Sequence, residues 1–235
     1  MREQELFVPV KTYLEGQGYS VHGEVTNWDI AAVKDGELIA IELKLRFCLS
    51  LVYQALRRKK TADSVYVCVP VRGSKGRLSN HSDAKGLLKE LGIGLLVVRF
   101  TSRNITVVPE IHPSQTAHGG KRRQRILREI DSRYTELTGA GLPSTEPVLT
   151  AYRQKTLRIA WTMIVKDNGV STPQNLRTYG CPVTTGDILR ANHYGWFDKL
   201  SRGLYAVSEE GRAAVTGYYR PYISSLLPYW NEPDL

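Results

Sequence analysis

The chain has 235 residues, of which 42% are hydrophobic and 23% charged, the proportions of an ordinary globular protein. No apolar run approaches the roughly 20 residues that a membrane-spanning helix needs, so no membrane partner is expected. Three cysteines without metal-ligand spacing argue against a zinc site and a disulfide framework, and favour a reduced, cytoplasmic compartment. The net charge of +9 favours a polyanionic partner.

In chain order, an apolar stripe at helical spacing first predicts a helix over Arg2–Gln17. Glu3 extends this stripe by one turn, which leaves two interpretations open. It is either a solvated acid that suits the helix dipole or a functional carboxylate. Glu5 points to the opposite face of the helix. A first strand is predicted next, over Tyr19–Val25.

The following stretch, Trp28–Lys44, is predicted to form a β-hairpin around Asp35-Gly36, a dipeptide that suits a type I′ turn. In a two-residue turn the numbers of paired residues sum to 71, so Asp29 faces Glu42. Strand alternation places Lys44 on the same side as Glu42. Two carboxylates roughly 5 Å apart in an apolar hairpin repel each other and need a cation, which a divalent metal supplies.

A third acid extends this row. A turn at Thr26-Asn27 places Glu24 opposite Asp29, so that three acids line up across three strands. Whether Glu3, Glu5 or Glu24 completes the site is left open by the sequence. Carboxylate oxygens suit Mg²⁺ or Mn²⁺, and the lysine on the same face can hold a nucleophile or neutralise a transition state.

The rest of the N-terminal half alternates helices and strands. A helix is predicted over Leu45–Thr61, where Gln54 and Arg58 are i,i+4 neighbours on the flank of the apolar stripe. Three further strands are predicted over residues 64–71, 94–100 and 105–108, with a short helix over residues 83–91. This order indicates an α/β domain with a mixed sheet flanked by helices.

Past this domain the chain becomes strongly basic. Pro109–Gly120 reads as a connector, and Lys121–Leu137 is predicted to be a helix. It carries three acids against six cations: Lys121, Arg122, Arg123, Arg125, Arg128 and Arg133. Such a helix is either a solvated face or a phosphate-binding surface. The density of cations here makes phosphate contact about as plausible as a solvated face. Thr138–Pro147 is a Gly/Pro-rich linker.

The C-terminal part has the pattern of a small winged helix-turn-helix domain. Its expected elements are helices at Thr150–Asn168, from Pro173 and at Gly186–Asn192, strands at Tyr194–Phe197 and Leu204–Val207, and a last helix that begins at Ser208. Such folds usually place the third helix in a DNA groove and the wing on the backbone. The alternative is a domain that mediates dimerisation.

The motif Asp29, twelve residues, then Glu42-Leu43-Lys44 resembles the D…ExK arrangement of the PD-(D/E)XK nuclease superfamily. Most of Met1–Val215 also resembles a bacterial family of PD-(D/E)XK-type phosphodiesterases with a C-terminal winged-helix-like domain. The stretches that carry this resemblance are GYSVHGEV (Gly18–Val25), IELKLRF (Ile41–Phe47), QALRR (Gln54–Arg58), TAYRQKTLR (Thr150–Arg158) and YGWF (Tyr194–Phe197). That family often has a Cys or a small residue before the Asp; here Trp28 is expected to narrow the cleft.

The resemblance implies a restriction-endonuclease-like mixed sheet and a role for each candidate residue. The acids hold Mg²⁺ or Mn²⁺, Lys44 positions or activates the attacking water, and Gln54 or Arg58 supports the scissile phosphate. The predicted metal ligands are Asp29, Glu42, Glu24 and Glu3. The predicted nucleic-acid contacts are Arg58, Arg122, Arg123, Arg125 and Arg128.

The expected domains are a nuclease-like domain over residues 1–110, a basic helix and linker over 111–147, and a winged-helix-like domain over 148–235. The expected function is a magnesium-dependent nuclease that acts on nucleic acid, with DNA favoured over RNA. Two alternatives stay open: a nucleic-acid-binding regulatory protein on an inactive or gated nuclease fold, and a protein whose partner is RNA or whose domain is a structural subunit of a larger complex. A homodimer is compatible with each.

Overall fold

The computed structural model describes residues 1–73, 76–78, 80–115, 120–134 and 148–230. These residues divide into two compact units. The first unit contains residues 1–131 and 148, and the second contains residues 132–134 and 149–230. Within the described residues, no helix combines the length and the apolar character that a bilayer crossing requires. The predicted linker Thr138–Pro147 lies outside the described residues.

The first unit is built on a six-stranded mixed sheet whose strand order follows the chain. Its strands are β1 (Ser20–Val25), β2 (Trp28–Lys34), β3 (Glu37–Leu43), β4 (Ser64–Arg72), β5 (Gly94–Phe100) and β6 (Ile105–Ile111). Strands β3, β4 and β5 run parallel, and the other neighbours are antiparallel. Helices flank this sheet, so the predicted α/β fold with a mixed sheet is confirmed, and it is consistent with the restriction-endonuclease-like type.

Both faces of the sheet are covered, because successive strand residues point to opposite faces and both sets are apolar. The helices of this unit are α1 (Gln4–Glu15), α2 (Leu49–Arg58), α3 (His81–Glu90) and α4 (Lys121–Asp131). Helix α1 packs on the face that carries Ile39, Ile41 and Leu43. Helices α2, α3 and α4 pack on the opposite face, with Leu38 and Ala40.

The β2–β3 hairpin has the predicted register, with Ile30 opposite Ile41 and Lys34 opposite Glu37. At its turn, Asp35 and Gly36 have φ values of 49° and 82°, as a type I′ turn requires. The turn therefore determines which residues of the two strands meet.

Several boundaries in this unit differ from the prediction, including the following three. Helix α2 begins at Leu49 rather than Leu45, because the Lys44 N–H still bonds the Cys68 carbonyl at 3.0 Å and extends the sheet. Strand β6 continues to Ile111, into the predicted connector, since an edge strand tolerates Pro109. Among the described residues, α4 ends at Asp131, short of the predicted Leu137.

The second unit contains five helices and a three-stranded sheet among its described residues. They are α5 (Ala151–Lys166), β7 (Val170–Ser171), α6 (Pro173–Thr178), α7 (Thr185–Ala191), β8 (Phe197–Ser201), β9 (Leu204–Val207), α8 (Glu209–Thr216) and α9 (Arg220–Trp230). The sheet order is β7-β9-β8. The hydroxyls of Thr150, Thr172 and Ser208 cap α5, α6 and α8. Strand β7 and helix α9 were not predicted.

The turn predicts a measurable difference between two glycine substitutions. Gly36→Ala should lower the free energy of unfolding by about 1–2 kcal/mol, because an alanine disfavours the positive φ of this position. A steric clash does not contribute, since a Cβ there meets nothing within 4 Å. Gly86→Ala, in α3 and equally unobstructed, should instead raise the free energy of unfolding by about 0.5–1 kcal/mol. Urea unfolding of both variants measures the effect. A Gly36→Ala protein as stable as the wild type would contradict a type I′ turn.

Candidate active site

Two carboxylates meet where β2 begins and β3 ends. The register that pairs Ile30 with Ile41 carries Asp29 opposite Glu42. Asp29 Oδ2 accepts a hydrogen bond from the Leu43 N–H at 2.8 Å, which fixes its orientation. Glu42 is completely buried. The structure thus brings together the two acids of the predicted metal site.

Arg58 of α2 provides the cation in contact with this pair. Its Nε donates to Glu42 Oε1 at 2.5 Å, and its Nη2 donates to the Asn27 carbonyl at 2.5 Å. The guanidinium also lies 5.9 Å from the ring centroid of Trp28, which is buried in the core. Among the described residues, Glu42 Oε2 is buried without a hydrogen-bond partner. One arginine therefore satisfies one oxygen and leaves the other open.

The burial of this pair changes the proton affinity of both acids. Burial and the negative charge of Asp29 together raise the pKa of Glu42 to about 7, against the opposing hydrogen bond and charge of Arg58. Burial also raises the pKa of Asp29, although the Leu43 N–H and Lys44 oppose the shift. The site is therefore short of positive charge.

Lys44 lies directly beyond β3 and is held by the first helix. Its Nζ donates to both carboxylate oxygens of Glu3, at 3.1 and 3.2 Å. Burial lowers the pKa of Lys44, but the hydrogen bond with Glu3 and the charges of Glu3 and Asp29 outweigh it and raise the pKa. The ammonium is thus charged and fixed in position. Glu3 is half-buried and pairs with Lys44, so it positions the ammonium, while its role as a metal ligand stays a prediction.

The remaining candidates lie around this centre. Glu24 is half-buried in β1, with positive φ of 49°, between the paired residues Gly23 and Val25. Gln54 of α2 is half-buried, and its Oε1 has no hydrogen-bond partner among the described residues. Glu5 is exposed and accepts from the Arg2 N–H at 2.6 Å. The roles of Glu24 and Gln54 stay predictions.

The basic helix α4 divides its arginines between two faces. Arg122, Arg125 and Arg128 are exposed. Arg123 instead donates from Nη1 to Asp63 at 2.7 Å and from Nη2 to the Gly36 carbonyl at 2.5 Å, which fastens α4 to the hairpin. It thus has an internal role that the sequence reasoning missed.

Arg58 has the same kind of internal role. Arg123 precedes the buried Ile126 by three residues, and Arg58 follows the buried Ala55 by three, so both arginines share a helix face with a buried residue. This spacing does not single them out, because the exposed Arg122 precedes Ile126 by four residues. Nucleic-acid contact by either one stays a prediction.

Residues 96–214 match a family model described as "Putative PD-(D/E)XK phosphodiesterase (DUF2161)". This segment is 119 of the 235 residues, just over half of the chain. The chain belongs to this family. Among curated proteins, none matches it in sequence. The matched segment runs from β5 into α8 and begins after Lys44, so the family assignment and the acidic pair are separate observations.

The acidic pair has the donor set for the divalent metal ions that PD-(D/E)XK proteins generally use. Its oxygens are hard ligands, and the unpartnered Oε2 of Glu42 is a buried position for a cation. No group of three or more His, Cys, Asp and Glu side chains with metal-site geometry exists in the part of the chain that the structure describes. Mg²⁺ sites commonly use one or two carboxylates and leave other positions to water and substrate phosphate.

Metal affinity should depend on both acids. Asp29→Asn and Glu42→Gln, which keep side-chain volume, should each lower the Mn²⁺ affinity by at least about 10- to 100-fold, a loss seen even for residues that only orient a ligand. Isothermal titration calorimetry measures this loss. Asp198→Ala, at an exposed acid of β8, is the matched control and should bind as the wild type does. Equal affinity in all four proteins would refute the metal site.

The affinity should also rise with pH. A carboxylate must lose its proton to bind a metal, and the pKa of Glu42 is raised to about 7. Below that pKa, Mn²⁺ affinity should therefore increase by up to about tenfold per pH unit, and it should level off above about pH 8. Titrations in two buffers of different ionisation enthalpy measure the released proton. A constant affinity between about pH 6 and pH 8 would contradict the buried acid pair.

Proposed function

We propose that the chain is a divalent-metal-dependent phosphodiester hydrolase that acts on nucleic acid, with DNA favoured over RNA. One observation carries the proposal: the half-buried Asp29 stands beside the fully buried Glu42, an oxygen of Glu42 lacks a partner among the described residues, and a fixed ammonium, Lys44, stands at the same strand end. The family of the chain supports phosphodiester chemistry. Magnesium is the expected ion, with manganese as a substitute.

The residues of this site divide the chemical work. A divalent cation, when bound, supplies the charge that binds a phosphate oxygen and lowers the pKa of water. Asp29 and Glu42 would hold it. Lys44, which carries donors and no lone pair when charged, would orient the attacking water or neutralise charge on the phosphate in the transition state. Gln54 is proposed to support the scissile phosphate.

Substrate docking requires positive charge away from the acids, because carboxylates repel phosphate. Helix α4 supplies the exposed guanidiniums of Arg122, Arg125 and Arg128. The second unit supports DNA as the partner. Its element order and its β7-β9-β8 sheet suit a winged helix-turn-helix, with α7 as the groove helix and the exposed Lys199 and Arg202 in the wing.

A second candidate is a nucleic-acid-binding regulator on a gated nuclease fold. It is supported by Arg58, which already pairs with one oxygen of Glu42. The two candidates differ in whether Lys44 is needed for turnover or only for binding.

Removal of the lysine tests this point. Lys44→Ala should lower the cleavage rate by at least about 100-fold, the effect of removing one well-placed donor to a transition state. Its affinity for Mn²⁺ and for a labelled oligonucleotide should stay close to that of the wild type. Cleavage is followed on gels with single-stranded, duplex, branched and RNA substrates, in Mg²⁺, Mn²⁺ or EDTA.

Lys89→Ala, which removes an exposed cation of α3, is the matched control and should cleave normally. Retained turnover in Lys44→Ala would make Lys44 a surface cation. A wild type that binds these oligonucleotides and cleaves none of them would favour the regulator.

Charge reversal on α4 tests the docking surface. Arg122→Glu, Arg125→Glu and Arg128→Glu together should weaken duplex binding and lower the log–log salt slope by roughly 3 units. Arg123 is left unchanged because it anchors the helix through Asp63. Fluorescence anisotropy across a salt series without divalent metal measures both quantities.

The control makes the same change in net charge elsewhere on the first unit, at the exposed Arg77, Lys89 and Arg103, each replaced by Glu. It should leave the salt slope much closer to that of the wild type. If both triple variants bind alike, α4 is an ordinary solvated surface.

A further inference from the structure

The outer face of α2 carries two large apolar side chains that the fold leaves exposed. Leu49 is 62% exposed and Tyr53 is 56% exposed. They stand four residues apart, and the exposed Arg57 follows after another four, so the three side chains form one row along the helix. We call this row the outer α2 face.

The opposite face of α2 fixes the helix against the candidate active site. Leu51, Val52 and Ala55 are buried in the core, and Arg58 bonds Glu42 at 2.5 Å. A helix with its side chains is about 10 Å across, so the outer α2 face lies roughly that far from the acidic pair. This distance is within reach of a nucleic-acid strand bound at the acids.

The charges around this face suit a polyanion. Residues 45–60 contain five arginines and lysines and no aspartate or glutamate. Arg58 is paired with Glu42, and Lys59 donates to the Leu91 carbonyl at 2.6 Å. The other three, Arg46, Arg57 and Lys60, are exposed. Exposed aromatic groups among cations are typical of surfaces that bind single-stranded nucleic acid.

We propose that the outer α2 face binds an unpaired nucleobase next to the scissile phosphate. The inference rests on the proposed function and gives it a substrate class: single strands, or duplexes with an unpaired segment. Tyr53 offers a ring for stacking, Leu49 extends the apolar surface, and Arg57 pairs with the adjoining phosphate. Bases inside an intact duplex are already stacked and cannot reach the ring.

A protein partner fits this face less well. Stable protein interfaces bury roughly 800 Å² on each side, whereas the apolar part of this face consists of two side chains. A single base covers about the area of one aromatic ring, and its phosphate matches the surrounding cations.

The test measures binding in EDTA, where no cleavage interferes. Tyr53→Ala should weaken binding of a labelled single strand by roughly 5- to 100-fold and change duplex binding little. Because stacking involves no ion release, the single-strand salt slope of Tyr53→Ala should equal that of the wild type. Tyr53→Phe should bind normally. Arg57→Ala should lower the single-strand salt slope by about 0.7.

Tyr229→Ala is the matched control, since Tyr229 of α9 is 44% exposed, and it should bind single strands as the wild type does. Unchanged single-strand affinity in Tyr53→Ala would overturn the inference, as would an equal loss on single strands and duplex. If Tyr53→Ala sediments as a monomer where the wild type sediments as a dimer, and its single-strand affinity is unchanged, the outer α2 face is a contact between copies. That result would also overturn the inference.

The inference and the proposed function fail separately. A wild type that binds single strands through Tyr53 but hydrolyses none of them in Mg²⁺ or Mn²⁺ would retain the binding surface and refute the hydrolase. A wild type that hydrolyses duplex and single strands equally, with Tyr53→Ala unaffected, would support the hydrolase and refute the binding surface.

Discussion

The repulsion between the half-buried Asp29 and the fully buried Glu42, which face each other on the β2–β3 hairpin, is the constraint on which the first unit depends. Burial without enough positive charge is unfavourable, and it raises the pKa of Glu42 to about 7. Arg58 offsets part of this cost through one oxygen of Glu42. The hairpin enforces the arrangement, because its turn leaves the strands no other register. The residual negative charge is what the proposed divalent cation would offset.

Both helical layers of the first unit contribute to this one position. Helix α1 precedes the sheet in the chain and brings Glu3 to the Lys44 ammonium at 3.1 Å. Helix α2 covers the opposite face and brings Arg58 to Glu42. The acids and the lysine are thereby held by partners on three different elements. Such a preorganised arrangement can stabilise charge in a transition state without first reorganising itself.

The turn at Asp35-Gly36 made the site predictable from the sequence, because a two-residue turn assigns a partner to every residue of the hairpin. The partners of the cations were not predictable in the same way. A long arginine side chain serves equally as a surface charge or a buried ion-pair partner, and only the packing of α2 and α4 decides between them for Arg58 and Arg123. Likewise, β7 has two residues, too few for a strand period, and was missed.

Manganese soaked into crystals of the protein, and located by its anomalous scattering, tests whether the acidic pair holds a divalent cation. We expect a single strong peak between Asp29 and Glu42, on the side of Glu42 Oε2, with Arg58 still bound to Oε1. The peak should disappear in Glu42→Gln crystals of the same form. Density for manganese at other carboxylates only, with this pair free of metal and Arg58 unmoved, would contradict this expectation.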